Sequence, residues 1–136
     1  MRIGFDFDGV LSKGSYFAPI AQLIVYGQTS IEPFVLTTRD EIDNDMDERL
    51  KALFGRYVYC LAIGKSINSN LPYKADILVT PGIKEDVDLF FDDDFYEVKR
   101  FHELNIPCVH VVPLRGDDTP MAYVQNMVYQ QLNGVL

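Results

Sequence analysis

Cysteine, histidine and basic charge are scarce in this chain of 136 residues, and no stretch of it stays apolar for long. The two cysteines, Cys60 and Cys108, each sit in an apolar, β-rich run. Neither has the short Cys/His spacing of a zinc site, so both read as buried free thiols. His102 and His110 have no partner pattern and read as surface or packing residues. With 12 Lys and Arg against 20 Asp and Glu, the formal net charge is −8. A general nucleic-acid surface needs a basic stripe to displace counterions, so an extended nucleic acid is not an expected partner. A small anionic substrate held by a few cations remains compatible with that charge. No apolar run approaches the roughly 18–20 residues of a bilayer span. The apparent first strand begins at the terminus, which leaves a signal peptide no room. The expectation is a cytoplasmic protein without a membrane partner.

Hydrophobic residues make up 48% of the chain and charged residues 24%, a globular balance rather than a disordered one. The length suits one domain spanning 1–136, with no internal repeat, low-complexity segment or linker to divide it. Apolar β-like runs occur at Arg2–Phe7, Pro33–Thr37, Tyr57–Ile63, Val87–Phe91 and Cys108–Val112. Continuous apolar runs of this kind are what strands buried on both faces look like.

Helical patterns fall between them. Ile20, Leu23, Ile24 and Gly27 follow one stripe, starting near Pro19. Ile42, Met46, Leu50 and Leu53 follow a second, with Gly55 as its stop. Val98, Phe101 and Leu104 mark a third, ending before the turn at Asn105–Pro107. Thr119 and Pro120 read as N-cap and first position of a last helix carrying Val124, Met127, Val128 and Leu132. Lys74–Thr80 reads as a short helix ended by Pro81-Gly82, because the crossover to the Val87 strand needs one. Strand and helix alternating in this way predict an α/β fold, a doubly wound, mainly parallel five-stranded sheet covered on both faces.

Ligand sites in open α/β sheets lie beyond the carboxyl ends of the strands, and there the acidic residues collect. The first strand ends in Asp6-Phe7-Asp8-Gly9, the second in Thr37-Thr38-Arg39-Asp40, the fourth in Asp92-Asp93-Asp94. Carboxylates so close repel one another unless a cation compensates. Hard oxygen ligands suit Mg²⁺, and hydroxyl and cationic groups beside it suit phosphate. The aromatic set Tyr57, Tyr59, Phe90, Phe91 and Phe95 reads as core.

The ordered set "FDFDGV", "VLTTRD", a lysine and "LFFDDD" resembles the haloacid dehalogenase (HAD) superfamily of aspartate-nucleophile phosphohydrolases, over residues 3 to 94. The resemblance implies a Rossmann-like core and an aspartyl-phosphate mechanism. It makes Asp6 the nucleophile and Asp8 the general acid-base, with Asp6, Asp8 (through its carbonyl), Asp92 and Asp93 around Mg²⁺. Asp93-Asp94 is the alternative metal pair. Thr37 matches the hydroxyl that binds phosphoryl oxygens, and Gly9, Thr38 and Arg39 would line the substrate. Tyr16 and Phe17 follow the first motif, in a segment that the resemblance places beside the site, where they could stack on a substrate base or ring. Arg39 has a second reading, as a partner of Asp40 or Asp43. The lysine that neutralises the phosphoryl group is Lys74, which would open its helix facing the site, with Lys65 and Lys84 as rivals.

Only short segments separate the first strand from the second and Asp40 from Val58, so no sizeable cap domain is expected. An open site of this kind goes with bulky substrates or with a neighbouring subunit of a homo-oligomer closing it. The implied activity is a Mg²⁺-dependent phosphomonoesterase acting on a small phosphorylated metabolite or nucleotide. The alternatives are a catalytically silent relative kept as a binding module and a polynucleotide-end phosphatase. A receiver-type phosphoacceptor fits poorly, because its acidic pair precedes the acceptor whereas here an acidic cluster follows the threonine.

Overall fold

The computed structural model describes residues 1–64, 73–82 and 86–112, and beyond them residues 119, 121, 122, 124, 125, 128 and 129. Five strands form: β1 (Arg2–Phe5), β2 (Glu32–Thr37), β3 (Tyr59–Ala62), β4 (Leu89–Asp92) and β5 (Cys108–His110). All pair in parallel, in the order β3-β2-β1-β4-β5. The helices among the fully described segments are α1 (Ala18–Val25), α2 (Asn44–Phe54), α3 (Lys74–Leu78) and α4 (Phe95–Glu103). The expected doubly wound α/β fold is the observed one.

Alternation along the strands splits the interior into two layers. Ile3, Phe5, Val35 and Phe91 point to the face covered by α1 and α2. Phe34, Leu36 and Phe90 point to the opposite face, under α3 and α4. Gly4 shares that second face and is paired with Phe34 on one side and Phe90 on the other. Those two rings close over it edge to face, 6.2 Å between centroids.

The chain builds β1, β2 and β3 outward in one direction, then returns past β1 to lay down β4 and β5 on the other side. Right-handed crossovers put α1 and α2 on one face before this reversal and α3 and α4 on the other after it. The reversal leaves a crevice between the carboxyl ends of β1 and β4, the position where open α/β sheets bind ligands.

Local signals explain the element ends. Asp43 caps α2 by accepting the Met46 N–H, and Gly55 closes it in the left-handed conformation at φ 69°. Asp94 caps α4, accepting from Tyr96 and Glu97. Thr119 accepts the Ala122 N–H, the cap bond expected there. Pro120, Met127 and Leu132 lie outside the described residues, and Val124 and Val128 are exposed.

Several expectations need correction. The fully buried residues of α1 are Ala18, Ala21 and Val25; Ile20 and Ile24 of the expected stripe pack partly buried against the core, whereas Leu23 is 82% exposed. The small alanines face the sheet and let the helix approach it, with Ile20 and Ile24 at the flank of that face and Leu23 on the outer one. Tyr57 is exposed because it lies in the connection before β3, Tyr59 because β3 is an edge strand, and Phe95 because it opens α4 at the rim. Phe90 and Phe91 are core as expected. Phe17 is buried against Phe91 and is not available to a substrate, while Tyr16 is exposed. Both thiols are free, but only Cys108 is buried; Cys60 is partly covered.

Candidate active site

β1 ends at Phe5, two residues earlier than its apolar run, but the ladder extends one bond further through Asp6 N–H to Phe91 C=O at 2.9 Å. That bond and the strand parity aim Asp6 at the α3–α4 face, the direction Asp92 takes at the end of β4. Lys74 opens α3 on the same face. Its ammonium lies 2.9 Å from Asp6 Oδ1 and 2.7 Å from Asp92 Oδ2, almost wholly buried. Asp6 Oδ1 also accepts the Phe7 N–H at 2.9 Å.

Asp93 completes the group. One carboxylate oxygen from each of Asp6, Asp92 and Asp93 lies within 4.8 Å of the others, a set of hard donors that could hold a metal ion. Gly9, at φ 82°, packs against the Asp93 carboxylate so closely that a Cβ would collide with it. Asp94 is not part of this set, since its carboxylate caps α4. The Asp8 carboxylate also lies outside it.

The electrostatics follow from one ammonium serving two buried carboxylates, Asp6 and Asp92, with half-buried Asp93 beside them. Burial pushes the Asp6 carboxyl up to about 7; Lys74 pulls it back and Asp93 pushes it further. Burial likewise raises Asp92, against the pull of Lys74, and raises Asp93. Burial alone would lower the Lys74 ammonium, but Asp92 and Asp6 outweigh it and hold its pKa above the ordinary lysine value. The causes differ, burial for the carboxyls and neighbouring carboxylates for the lysine, but both favour added positive charge at the cluster, as protons or as a further cation.

The second row of the site lies at the end of β2. Thr37 is fully buried and its Oγ1 accepts the Arg39 N–H at 3.2 Å, which leaves the hydroxyl its own proton to donate. Arg39 grips Asp8 through both oxygens, at 2.9 Å from Nε and 2.7 Å from Nη2, and reaches Asp43 at 3.3 Å. Its guanidinium also lies over the Phe7 ring, 5.2 Å from the centroid. Asp8 raises the Arg39 pKa further, chiefly through these hydrogen bonds. An ion pair this exposed adds little stability; its effect is to orient Asp8. Arg39 therefore pairs with Asp43, one of the two readings open from sequence, and with Asp8, which neither reading named. Thr38 is exposed at the same strand end.

The loop carrying Asp8 is anchored by buried Val10 and Leu11 and by Leu11 N–H to Phe7 C=O at 2.9 Å. Between this loop and α2 lies a cleft of about 740 Å³, whose walls include Phe7, Lys13, Arg39, Asp43, Met46 and Arg49. It includes Arg39, the partner of Asp8, and none of the clustered carboxylates Asp6, Asp92 and Asp93. The connections 6–17 and 38–43 are too short to hold a cap domain.

The three candidate lysines separate as far as the description reaches. Lys74 is in the cluster; Lys65 and Lys84 lie outside the described residues. His102 and His110 each bond a backbone carbonyl, of Cys108 at 2.7 Å and of Asp93 at 3.3 Å, so His110 braces the Asp93 loop. Glu97 was not anticipated. It is buried, accepts the Lys74 backbone N–H at 2.8 Å, and is pushed up to about 7 by burial. Its sequence signal was the Asp94-Phe-Tyr-Glu97 spacing of a capping box.

Fold and site together define an open α/β protein with an acidic, lysine-bridged centre at the reversal point of its sheet. No protein-family model, curated protein or solved structure matches the chain.

Proposed function

We propose that the protein is a Mg²⁺-dependent phosphomonoesterase of the HAD-like kind, acting through an aspartyl-phosphate on a small phosphorylated metabolite or nucleotide. The observation that carries this reading is Lys74 bridging Asp6 and Asp92 beside Asp93, at the crevice between β1 and β4. Phosphoryl transfer asks mainly for positioning and charge neutralisation, and the cluster offers both. Asp6, Asp92 and Asp93 are the side chains that would hold Mg²⁺. Bound there, it would supply the positive charge that lets phosphoryl oxygens approach a carboxylate nucleophile.

Asp6 attacks phosphorus, forming an O–P bond as the bond to the leaving oxygen breaks. Asp8 gives that oxygen a proton, then takes one from the water that cleaves the aspartyl-phosphate and frees inorganic phosphate. Arg39 holds Asp8 through both oxygens, and releasing one of those bonds would free Asp8 to turn toward the leaving oxygen. Phosphoryl oxygens arriving at Arg39 would take its place. Lys74 and the Thr37 hydroxyl hold the transferring group. The cleft beside Arg39 receives the leaving group; its volume suits a small ligand and its walls carry both signs of charge. Free thiols fit the cytoplasm as its compartment.

The test is phosphate release from a broad phosphomonoester panel with Mg²⁺. Continuous turnover is expected, abolished by EDTA and by Asp6→Asn. Turnover surviving in the Asp6→Asn variant, or a stop after one phosphate per chain with acetyl phosphate, refutes the reading.

A further inference from the structure

In a capping box the glutamate at the third helical position reaches back to the N–H of its own N-cap residue. Asp94 and Glu97 have that spacing in α4, but the Asp94 N–H is already taken by Asp92 Oδ1 at 3.0 Å. Glu97 instead crosses to α3, where its Oε2 accepts the Lys74 N–H at 2.8 Å. Helix α3 needs that partner. It has five residues, and its N-cap, Tyr73, offers no side-chain bond. Its first N–H groups therefore have no acceptor within the helix, and Lys74 is buried away from water.

The bonds close into a ring. Asp92 Oδ1 holds Asp94 N, Asp94 Oδ1 holds Glu97 N at 3.3 Å, Glu97 holds Lys74 N, and Lys74 Nζ returns to Asp92 Oδ2. Each link fixes the next, and the ring's output is the place of one ammonium. Among the described residues the Glu97 carboxylate makes no ion pair, so its contribution is an acceptor at the right reach rather than a charge. A second tie, Arg100 to Asp76 at 2.7 Å, binds α3 to α4 one turn on.

We propose that Glu97 is a positioning residue, setting through the Lys74 backbone where the Lys74 ammonium stands between Asp6 and Asp92. Its kinetic consequence rests on the phosphatase reading; its geometric one does not. Displacing a group from productive geometry by about 1 Å costs up to roughly 100-fold in rate, so reach should matter more than charge.

Three variants of the full chain separate the two. Glu97→Gln keeps both reach and acceptor, Glu97→Asp keeps charge but is one methylene short, and Glu97→Leu keeps neither. For the Mg²⁺-loaded protein, kcat and KM are measured per folded molecule. Lys74 is probed in parallel by acetic anhydride labelling read by peptide mass spectrometry, with exposed Lys51 as internal reference.

Glu97→Gln is expected within about threefold of wild type, with Lys74 still protected. Glu97→Asp and Glu97→Leu are expected to lose about 10-fold or more in kcat with KM nearly unchanged, and Lys74 to label about 10-fold faster. A merely structural role would lower Tm without that split or the rescue by Gln. If Glu97→Leu does not fold, the Asp and Gln pair decides. Wild-type kcat and labelling in Glu97→Asp, or loss of both in Glu97→Gln, overturns the proposal. If the wild type hydrolyses nothing, labelling alone decides: faster in Asp and protected in Gln upholds the positioning although the phosphatase reading has failed, and any other labelling pattern overturns it.

Discussion

Lys74 is the residue on which the centre balances. Breaking a buried pair leaves an uncompensated charge, at a cost of about 3–5 kcal/mol. Asp6, already raised to about 7, can relieve part of that by taking a proton. Lys74→Met should therefore destabilise the metal-free protein by about 3 kcal/mol. A cation facing the transferring group acts where charge develops, so kcat should also fall roughly 100-fold. A solvated lysine would change stability by less than about 0.5 kcal/mol and leave rate alone. Urea unfolding and steady-state kinetics of Lys74→Met together check this, and a variant near wild type in both would remove Lys74 from the mechanism.

Among the elements, β1 holds the site in register, and its least conspicuous residue sets the spacing. A Cβ at Gly4 would collide with the Phe90 ring and come within 2.6 Å of Phe34 Cε1, both rings fully buried. Neither ring can swing into solvent, so the strands must separate or tilt. Gly4→Ala should cost about 1–3 kcal/mol by overpacking. Since Asp6 and Asp92 hang from the same strand pair, activity per folded molecule should fall with it. Denaturant midpoints and active-site titration measure the two effects; an unshifted midpoint would mean the rings have room that the packing does not suggest.

For the whole molecule, the burial of carboxyl groups gives stability an unusual pH slope. Asp6 moves from its ordinary 3.8 to about 7 and Glu97 from 4.5 to about 7. Between about pH 4 and pH 7 the folded chain therefore holds protons that the unfolded chain has released. Stability from these groups is present at the acid end and lost as pH rises through 7. In EDTA, Tm should be higher at pH 5 than at pH 7.5 by about 4 °C or more, and Mg²⁺ should restore the loss at pH 7.5. Asp6→Asn, which has no charge to bury there, should show a shallower slope. Thermal scans across that range decide it: a Tm rising with pH, or a slope unchanged in Asp6→Asn, would contradict the electrostatic account.

The strand runs, the Thr119 cap and the stop at Gly55 were legible from sequence because each depends on neighbours within a few residues. Asp94, by contrast, is a candidate metal ligand by sequence and a helix cap in the structure. Legible too was the gathering of Asp6, Thr37 and Asp92 at strand ends, because alternating β and α elements leave a parallel sheet few ways to form. The helix at Lys74 was legible only through the need for a crossover. The centre of the face that α1 buries was not, because the sheet's demand for close approach put small Ala18 and Ala21 there, with Ile20 and Ile24 at its flank and Leu23 outside. Nor was the exposure of Tyr57, in the connection before β3, or of Tyr59, which depends on β3 lying at an edge. The Arg39–Asp8 grip spans 31 residues and the Glu97–Lys74 bond 23. The Glu97 bond answers a buried N–H that exists only once α3 and α4 pack, and the Arg39 grip joins exposed charges that only the fold brings within reach. Local sequence determined the elements and the residues available at their ends; the reversal of strand order between β1 and β4 decided which of those residues meet. Hydrogen bonds and ion pairs act over a few ångströms, and only tertiary packing brings distant residues that close.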